Sequence, residues 1–511
     1  MSRVMRRVTS TQRSTGDERL PNVRTVVIPL PRDATPGVEE GPMSTDSICW
    51  MSASDMAAAI RRKKLSPVQV VDAALSRIEK TATLNAYVLV DADGARKAAK
   101  AAERALTRKG AALGPLHGVP FSVKDLVITR GSRTTFGTPL YRDNVTTEDA
   151  PIVERLKAAG GIMIGKTNTP TFGWIGATHN LLFGATRNPW NLERTPGGSS
   201  GGASAAVAAG LAPLAVGTDG GGSIRIPASF AGIFGHKPSF GRIPIHPHGA
   251  AWSLSHVGPM TRTVKDAALM MNACAGPDER DQYSLPGERV DYVKALRGDL
   301  KGLRVAYSDS LGFAQVVDPD VRAATAKAAR AFRELGARVE DVNPGWPSPF
   351  PAWKDIFCGG IAARMASFID RRDEIDPGLF RIIEETLQQP PTRYVQAWFD
   401  RLAWWQHPRA FFEKYDLLLT PTTACAAFPV GLDNPAEIAG TPLPPYGWIP
   451  FTYPFNMTGQ PAASVPCGFT HDGLPIGLQI VGRRLADAIV LRAAAGFESI
   501  RPWAQHRPPG V

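Results

Sequence analysis

Two clusters of glycine and serine dominate the middle of the chain: "PGGSSGGAS", Pro196 to Ser204, and "GTDGGGSIR", Gly217 to Arg225. Glycine costs backbone entropy and is kept where φ must be positive or where a backbone must approach something closely. Three in a row, Gly220, Gly221 and Gly222, directly before Ser223 therefore demand a reason. A flexible linker, a phosphate cradle, and a turn aiming N–H groups at a developing negative charge all fit the bare pattern. Between the clusters lies "AAVAAGLAPLAV", a small-residue helix and then a strand, which sets the two loops at neighbouring ends of elements where they can meet. Packed, periodic, apolar sequence on either side rules out the linker.

The same alternation runs along the chain from Ser44 onward. Ser66-Pro67-Val68-Gln69 has the capping-box pattern with proline at the first helical position. The helix it opens carries Val68, Val71, Ala74, Leu75 and Ile78 on one face. "AYVLV", Ala86 to Val90, reads as a strand, followed by a helix that stops near Gly110. "PIVERLKAAG" and then "GIMIG" read as helix, glycine stop and buried strand. "GLRVAYS", the helix around "RAATAKAARAFRELGA" and "RVEDV" repeat the rhythm. The pattern predicts an α/β fold, a sheet covered by helices. Residues 1–43 lack such periodicity and any signal-peptide core; they read as a disordered extension, or as an upstream start before Met43. That leaves 44–511 as a single domain.

Composition narrows the class. Of 511 residues, 43% are hydrophobic and 21% charged, the balance of a globular protein. No stretch approaches the roughly 18 apolar residues of a membrane span. Five cysteines (Cys49, Cys274, Cys358, Cys425, Cys467) are scattered, odd in number and without C-x-x-C. They form neither a disulfide framework nor a zinc site, so a reducing cytoplasm and no metal are expected. A net charge of +11 would suit nucleic acid. Its densest run, Arg61 to Lys64, instead sits where a helix ends and cations are favoured, so no nucleic-acid partner is expected.

Two motif matches fail on context. "GGIMIGKT", Gly160 to Thr167, fits the phosphate-loop pattern, but a phosphate loop follows a strand and opens a helix. Here the match begins at a helix stop and runs through a strand. "GSSGG", Gly198 to Gly202, fits the nucleophile elbow, with Ser200, Asp219 and His236 as a draft triad. The elbow requires a buried strand just upstream, where "NPWNLERTP" is a polar loop. An oxyanion-binding turn remains, with Ser223 as a nucleophile that needs a base. None of the nine histidines lies within or beside either loop. Lys124, in "VPFSVKDLV", is placed for partial burial, which disfavours the ammonium form and yields a neutral amine base. The competing reading is an ordinary solvated lysine.

At these residues the chain resembles the amidase signature family, whose Ser-cisSer-Lys triad performs acyl transfer without histidine. The core block is similar to "GGSSGGASAAVAAGLAPLAVGTDGGGSIRIPASFAGIFGHKP", Gly197 to Pro238. "GPLHGVPFSVKDL", "GKTNTPTFG", "DLLLTPTTA", "PFNMTGQPAASVPCGF" and "GLPIGLQIVG" extend the resemblance from about Ser52 to the C-terminal helix. It implies a large mixed central sheet covered by helices on both faces, with a variable, pocket-shaping region at about 285–450. Carried over by position, the family's lysine falls on Lys124, its bridging serine on Ser199 and its nucleophile on Ser223. The oxyanion donors fall on Gly220, Gly221, Gly222 and Ser223, and Ser200, Asp219 and Arg225 become supports. Three residues depart from the usual pattern: Gly220 for a bulkier residue, which leaves a looser hole or a larger pocket, Ala231 for cysteine, and His236 for leucine.

The resemblance further implies a free-standing amidase of the aryl acylamidase kind, working without cofactor on acyl or aryl amides, anilides, carbamates (urethanes) and some esters. It would act as a monomer or homodimer. The alternative is the glutamine-hydrolysing chain of a glutamyl-tRNA amidotransferase, its A subunit, which works within a complex. That chain usually has glutamine after "SIR" and a "YGLVAFASSLDQIGP"-like stretch, where this protein has Ile226 and "HPHGAAWSLSHVGP". Six of the eleven tryptophans (Trp346, Trp353, Trp398, Trp404, Trp405, Trp448) lie between the family blocks. They fill core or line the pocket. Gly173, Trp174, Trp448 and Phe451 are the expected pocket residues.

Overall fold

A computed structural model describes residues 43–509 and 511. Nearly all of the expected N-terminal extension lies outside the described residues. In chain order the strands are β1 (Tyr87–Val90), β2 (Pro120–Lys124), β3 (Ile162–Thr167), β4 (Leu214–Asp219), β5 (Phe234–Lys237), β6 (His256–Thr261), β7 (Arg304–Tyr307), β8 (Arg338–Asp341), β9 (Leu417–Pro421), β10 (Glu437–Ile438), β11 (Thr441–Pro442), β12 (Ala462–Phe469) and β13 (Pro475–Gly482). Strands β10 and β11 pair only with each other. The other eleven form one mixed sheet in the order β1-β3-β2-β4-β6-β5-β12-β13-β9-β7-β8.

Side chains alternate across a strand, and here the alternation feeds two cores. Leu417 and Leu419 of β9 pack with Val305, Leu478 and Ile480 on one face, beneath the helices Val264–Cys274 and Asp487–Ile500. Leu418 packs with Ala306 and Val481 on the other, in the cluster that holds Ile226 and Phe230 of the helix Arg225–Ala231, which lies on β12 and β13. A strand apolar on both sides must be covered on both, which is why helices flank the sheet.

The local readings follow their chemistry. Ser66 and Gln69 form the capping box of the helix Pro67–Lys80, with Pro67 in its first turn. Gly160, at φ 90°, turns the chain from the helix Pro151–Ala158 into β3, so the phosphate-loop match is a helix stop and a strand.

Strand β2 lies between β3 and β4 and runs parallel to both. Parallel neighbours end at the same edge of a sheet, so Lys124, Thr167 and Asp219 arrive together. Phe121 and Val123 of β2 face the first core. Ser122 and Lys124 therefore face the opposite side, where the helix Gly201–Ala208 packs on β2 and β4. Every residue of that helix is buried. A Cβ at Gly202 would lie 2.3 Å from the Asn168 nitrogen and 2.5 Å from the Ala86 carbonyl oxygen. Its run of small residues lets a helix lie this close to backbone, and it fixes the loop carrying Ser199 and Ser200.

Candidate active site

Lys124 is fully buried at the end of β2. Its Nζ donates to Ser199 Oγ at 2.7 Å and to Thr218 Oγ1 at 2.9 Å. Burial holds the amine well below its ordinary pKa, and the negative charge of Asp219 opposes that only in part. A neutral amine has a lone pair, so at this distance the Ser199 hydroxyl can equally donate to it. Lys166 on β3, the lysine of the phosphate-loop match, is a useful contrast. It donates to the Val127 carbonyl at 2.7 Å and to Thr134 Oγ1 at 2.8 Å, with Asp125 Oδ1 3.5 Å away. Burial lowers its pKa as well, but the adjacent Asp125 charge limits the fall to about 8. Lys166 ties loops together, whereas Lys124 opens onto serines.

Ser199 follows a cis peptide bond from Gly198. Ser200 braces the neighbouring loop: its N–H donates to the Ser223 carbonyl at 3.2 Å. Its Oγ donates to the Thr218 carbonyl at 3.2 Å and accepts from the Thr218 N–H at 3.3 Å. His236 lies buried on β5 with Nε2 3.3 Å from Asp487 Oδ1. Asp219 is engaged by Arg225, so Ser200, Asp219 and His236 do not assemble into a triad.

Asp219 organises the glycine turn. Its carboxylate accepts from the N–H of Gly222 at 2.7 Å and of Ile224 at 3.1 Å. It also accepts from Arg225 Nε and Nη2, each at 2.9 Å. Arg225 is fully buried and places its remaining donors on the Thr452 carbonyl (2.9 Å), Gln479 Oε1 (2.7 Å) and Asn456 Oδ1 (2.6 Å). All five guanidinium N–H groups have directions to use, and here each has an acceptor. Burial alone would raise the Asp219 carboxyl, but the Arg225 charge and hydrogen bonds hold it well below the carboxylate range.

One expected donor is corrected by this arrangement. The Gly222 N–H is held by Asp219 and is not free for an oxyanion. The Gly220 carbonyl accepts from Trp353 Nε1 at 3.2 Å and the Gly221 carbonyl from Thr452 Oγ1 at 2.6 Å. Carbonyl and N–H point opposite ways across a trans peptide, so Trp353 turns the Gly221 N–H away from itself. Among the described residues the N–H groups of Gly220, Gly221 and Ser223 have no partner.

The three glycines answer to different constraints. A Cβ at Gly221 would lie 2.6 Å from Trp353 Cζ2, and one at Gly222, at φ 134°, 2.6 Å from Thr452 Oγ1. At Gly220 the nearest atom would be Phe357 Cε2 at 3.5 Å, an ordinary contact on the cavity wall. Gly220 therefore enlarges the cavity, while its carbonyl stays anchored. Gly220→Ala is expected to leave Tm unchanged and to lower kcat/KM selectively for bulky amides. Gly221→Ala should lower both Tm and activity towards every amide. Thermal melts and a size series of anilides read the difference.

One cavity is lined by Ser199, Ser223, Gly220 and Gly173 and walled by apolar side chains including Ile128, Val257 and Phe357. Gly173 belongs there, since a Cβ would meet Ser199 Oγ at 2.9 Å. Trp174, Trp448 and Phe451 do not: all three are buried in the core. Trp448 packs against Phe230 and Phe428 and donates to Asn434 Oδ1 at 3.0 Å. The Phe451 carbonyl accepts from Gln479. Trp174 lies within the same apolar cluster. Phe357, Ile361 and Arg364, on one helix, take the wall positions instead. Their spacing of four and three was visible in the sequence, although nothing there marks that face as cavity wall.

A buried amine against a serine, a second serine on the same cavity and free backbone donors beside it are equipped for acyl transfer, and fold and site together are those of an amidohydrolase. The chain belongs to the amidase family: the model of that family, described as Amidase, matches residues 69–491. An acylamidase of Rhodococcus erythropolis is 43% identical over 91% of this chain and 98% of its own length. The A subunit of the glutamyl-tRNA(Gln) amidotransferase of Moorella thermoacetica is 38% identical over 90% of this chain and 98% of its own. Among solved structures, a bacterial aryl acylamidase superposes with TM-score 0.84 at 35% identity, covering 89% of this chain and 97% of that one.

Proposed function

We propose that this amidase hydrolyses acyl and aryl amides, anilides and carbamates among them, through an acyl-enzyme on Ser223. The observation that carries the reading is the buried Lys124 amine, 2.7 Å from Ser199 Oγ, beside a cavity that Ser199 and Ser223 both line. Neutral Lys124 draws a proton through Ser199 as Ser223 Oγ attacks the carbonyl carbon. The charge that develops on the carbonyl oxygen meets the Gly221 and Ser223 N–H groups. The proton then returns through Ser199 to the leaving nitrogen, the C–N bond breaks, and an ester on Ser223 remains. Water attacks that ester, giving its proton to the same relay. Ser223 regains a proton as the carboxylic acid departs.

The names of the two acylamidase relatives support this choice of substrate. A second reading, glutamine hydrolysis within an amidotransferase, is favoured by relatives at 36–38% identity that carry that name. The acylamidase stands above them in identity, and Ile226 and the histidine-bearing loop depart from the usual pattern of the amidotransferase chain. A panel of p-nitroanilides, primary amides, carbamates and glutamine separates the two. Turnover of anilides by this chain alone, without ATP or tRNA, is expected, with a fluorophosphonate labelling the peptide that holds Ser223. Glutamine as sole substrate, cleaved only with partner subunits present, would overturn it.

A further inference from the structure

The helix Phe350–Met365 carries Trp353, Phe357, Ile361 and Arg364 at steps of four, four and three, one face of a helix. The first holds the Gly220 carbonyl, and the other three line the cavity. Arg364 is exposed and stands at the solvent end. Its guanidinium carbon lies 5.1 Å from the centre of the Phe172 ring and 5.8 Å from that of Phe136. Stacking uses the flat face of a guanidinium and leaves its edge, where the N–H donors are, free to bind. Among the described residues no carboxylate lies within ion-pair distance of Arg364 and no acceptor takes its N–H groups.

Most of the remaining polar groups on the cavity wall are engaged, although His248 Nδ1 and His256 Nε2 are buried without a partner among the described residues. Asp219 is bound by Arg225. His246 and His248 have Glu148 and Asp281 at 3.3 and 3.0 Å. His256 Nδ1 is 2.9 Å from the Leu254 carbonyl oxygen. The cavity thus combines apolar walls, an acyl-transfer site and one unpaired cation. We propose that Arg364 is an anion subsite, which takes a carboxylate borne by the amide substrate at the end remote from the scissile bond. The planar fork of a guanidinium matches a carboxylate through two parallel hydrogen bonds. The apolar walls suit an aryl or alkyl body between that carboxylate and the carbonyl at Ser223. Amides carrying an ammonium group at the same end are disfavoured by the same charge.

This inference rests on the acyl and aryl amide reading, and its test separates the two. Nitro is a neutral, planar stand-in for carboxylate, so the probes are 4-acetamidobenzoate against 4-nitroacetanilide, and 4-carboxybenzanilide against 4-nitrobenzanilide. The pairs place the charge on the amine side and the acyl side in turn. Binding is measured by calorimetry in Ser223→Ala, which does not turn over, with and without Arg364→Met, a substitution that keeps an apolar stem over the two rings. The carboxylate member of at least one pair should lose about tenfold in affinity, with its nitro partner within twofold and Tm unchanged. Salt should weaken the carboxylate complex and leave the nitro complex alone. Equal changes within both pairs, or none, would overturn the subsite. Absence of any nitroanilide turnover by the unsubstituted enzyme would count against the amide reading, while the calorimetry still judges Arg364.

Discussion

Ser223→Ala is expected to remove anilide hydrolysis, lowering kcat/KM by about 10⁴-fold or more, since members of such a unit fail together. Lys124→Ala should cost about 10²–10⁴-fold, the scale of a lost general base, and Ser199→Ala a similar amount by interrupting the relay. The pH profile identifies the base. Lys124 works when neutral, and burial holds its pKa well below the ordinary lysine value. Activity is therefore present above that lowered pKa and is lost as pH falls through it. Lys166, held at about 8 by burial and Asp125, and Lys237, which burial also holds well below its ordinary value, are the other buried lysines able to leave an acid limb. Lys124→Arg decides between them. A guanidinium stays charged throughout, so this variant should be inactive at every pH if Lys124 is the base. If it keeps activity and an acid limb near pH 8, the base lies elsewhere. Acid loss caused by Lys124 protonation should also precede any loss of far-UV circular dichroism.

The sequence showed the turn more readily than its surroundings. Gly220 to Ser223 stands out because glycine preference is a local, backbone property, and β2, β3 and β4 stand out because each is a short apolar run with a turn at its end. The order of the sheet is not local: β5 pairs with β12 through Ala462 opposite Lys237 and Ser464 opposite Gly235, across more than two hundred residues. For the same reason Asn456 and Gln479 could be quoted within sequence blocks without any sign that both reach Arg225. Ser223 and Lys124 emerged from the chemistry of their neighbourhoods, whereas Ser199 entered through family resemblance. No pattern in a single sequence says that a hydroxyl lies 2.7 Å from an amine 75 positions away. The tryptophans misled for a related reason. An indole serves a cavity or a core equally well, and the partner of its N–H decides. Trp353 meets the Gly220 carbonyl and Trp448 meets Asn434, so one backs the turn and the other fills the interior.

Asp219→Ala is expected to destabilise the protein by about 3–5 kcal/mol, because removing one member of a buried ion pair leaves the other charge uncompensated. Both partners are fully buried with Arg225 Nη2 2.9 Å from Asp219 Oδ1. The same substitution strips the acceptor from the Gly222 and Ile224 N–H groups, so the turn that presents Ser223 loses its anchor and activity falls with stability. The double variant Asp219→Ala/Arg225→Met separates these effects. It removes the orphaned charge, so it should be more stable than Asp219→Ala alone, a coupling that denaturant melts of the full cycle can measure. It does not restore an acceptor for the two amides, so activity should stay low in spite of recovered stability. Recovery of activity along with stability would show that the carboxylate serves only as a counter-ion. The pH dependence follows the same logic. Arg225 holds the Asp219 carboxyl below its unfolded pKa, so the pair stabilises the fold above the ordinary carboxylate range, near 3.9. That contribution is lost only as pH falls further, through the lowered value. The turn therefore stays intact in mild acid, so a loss of activity in that range is not a loss of the Asp219–Arg225 anchor.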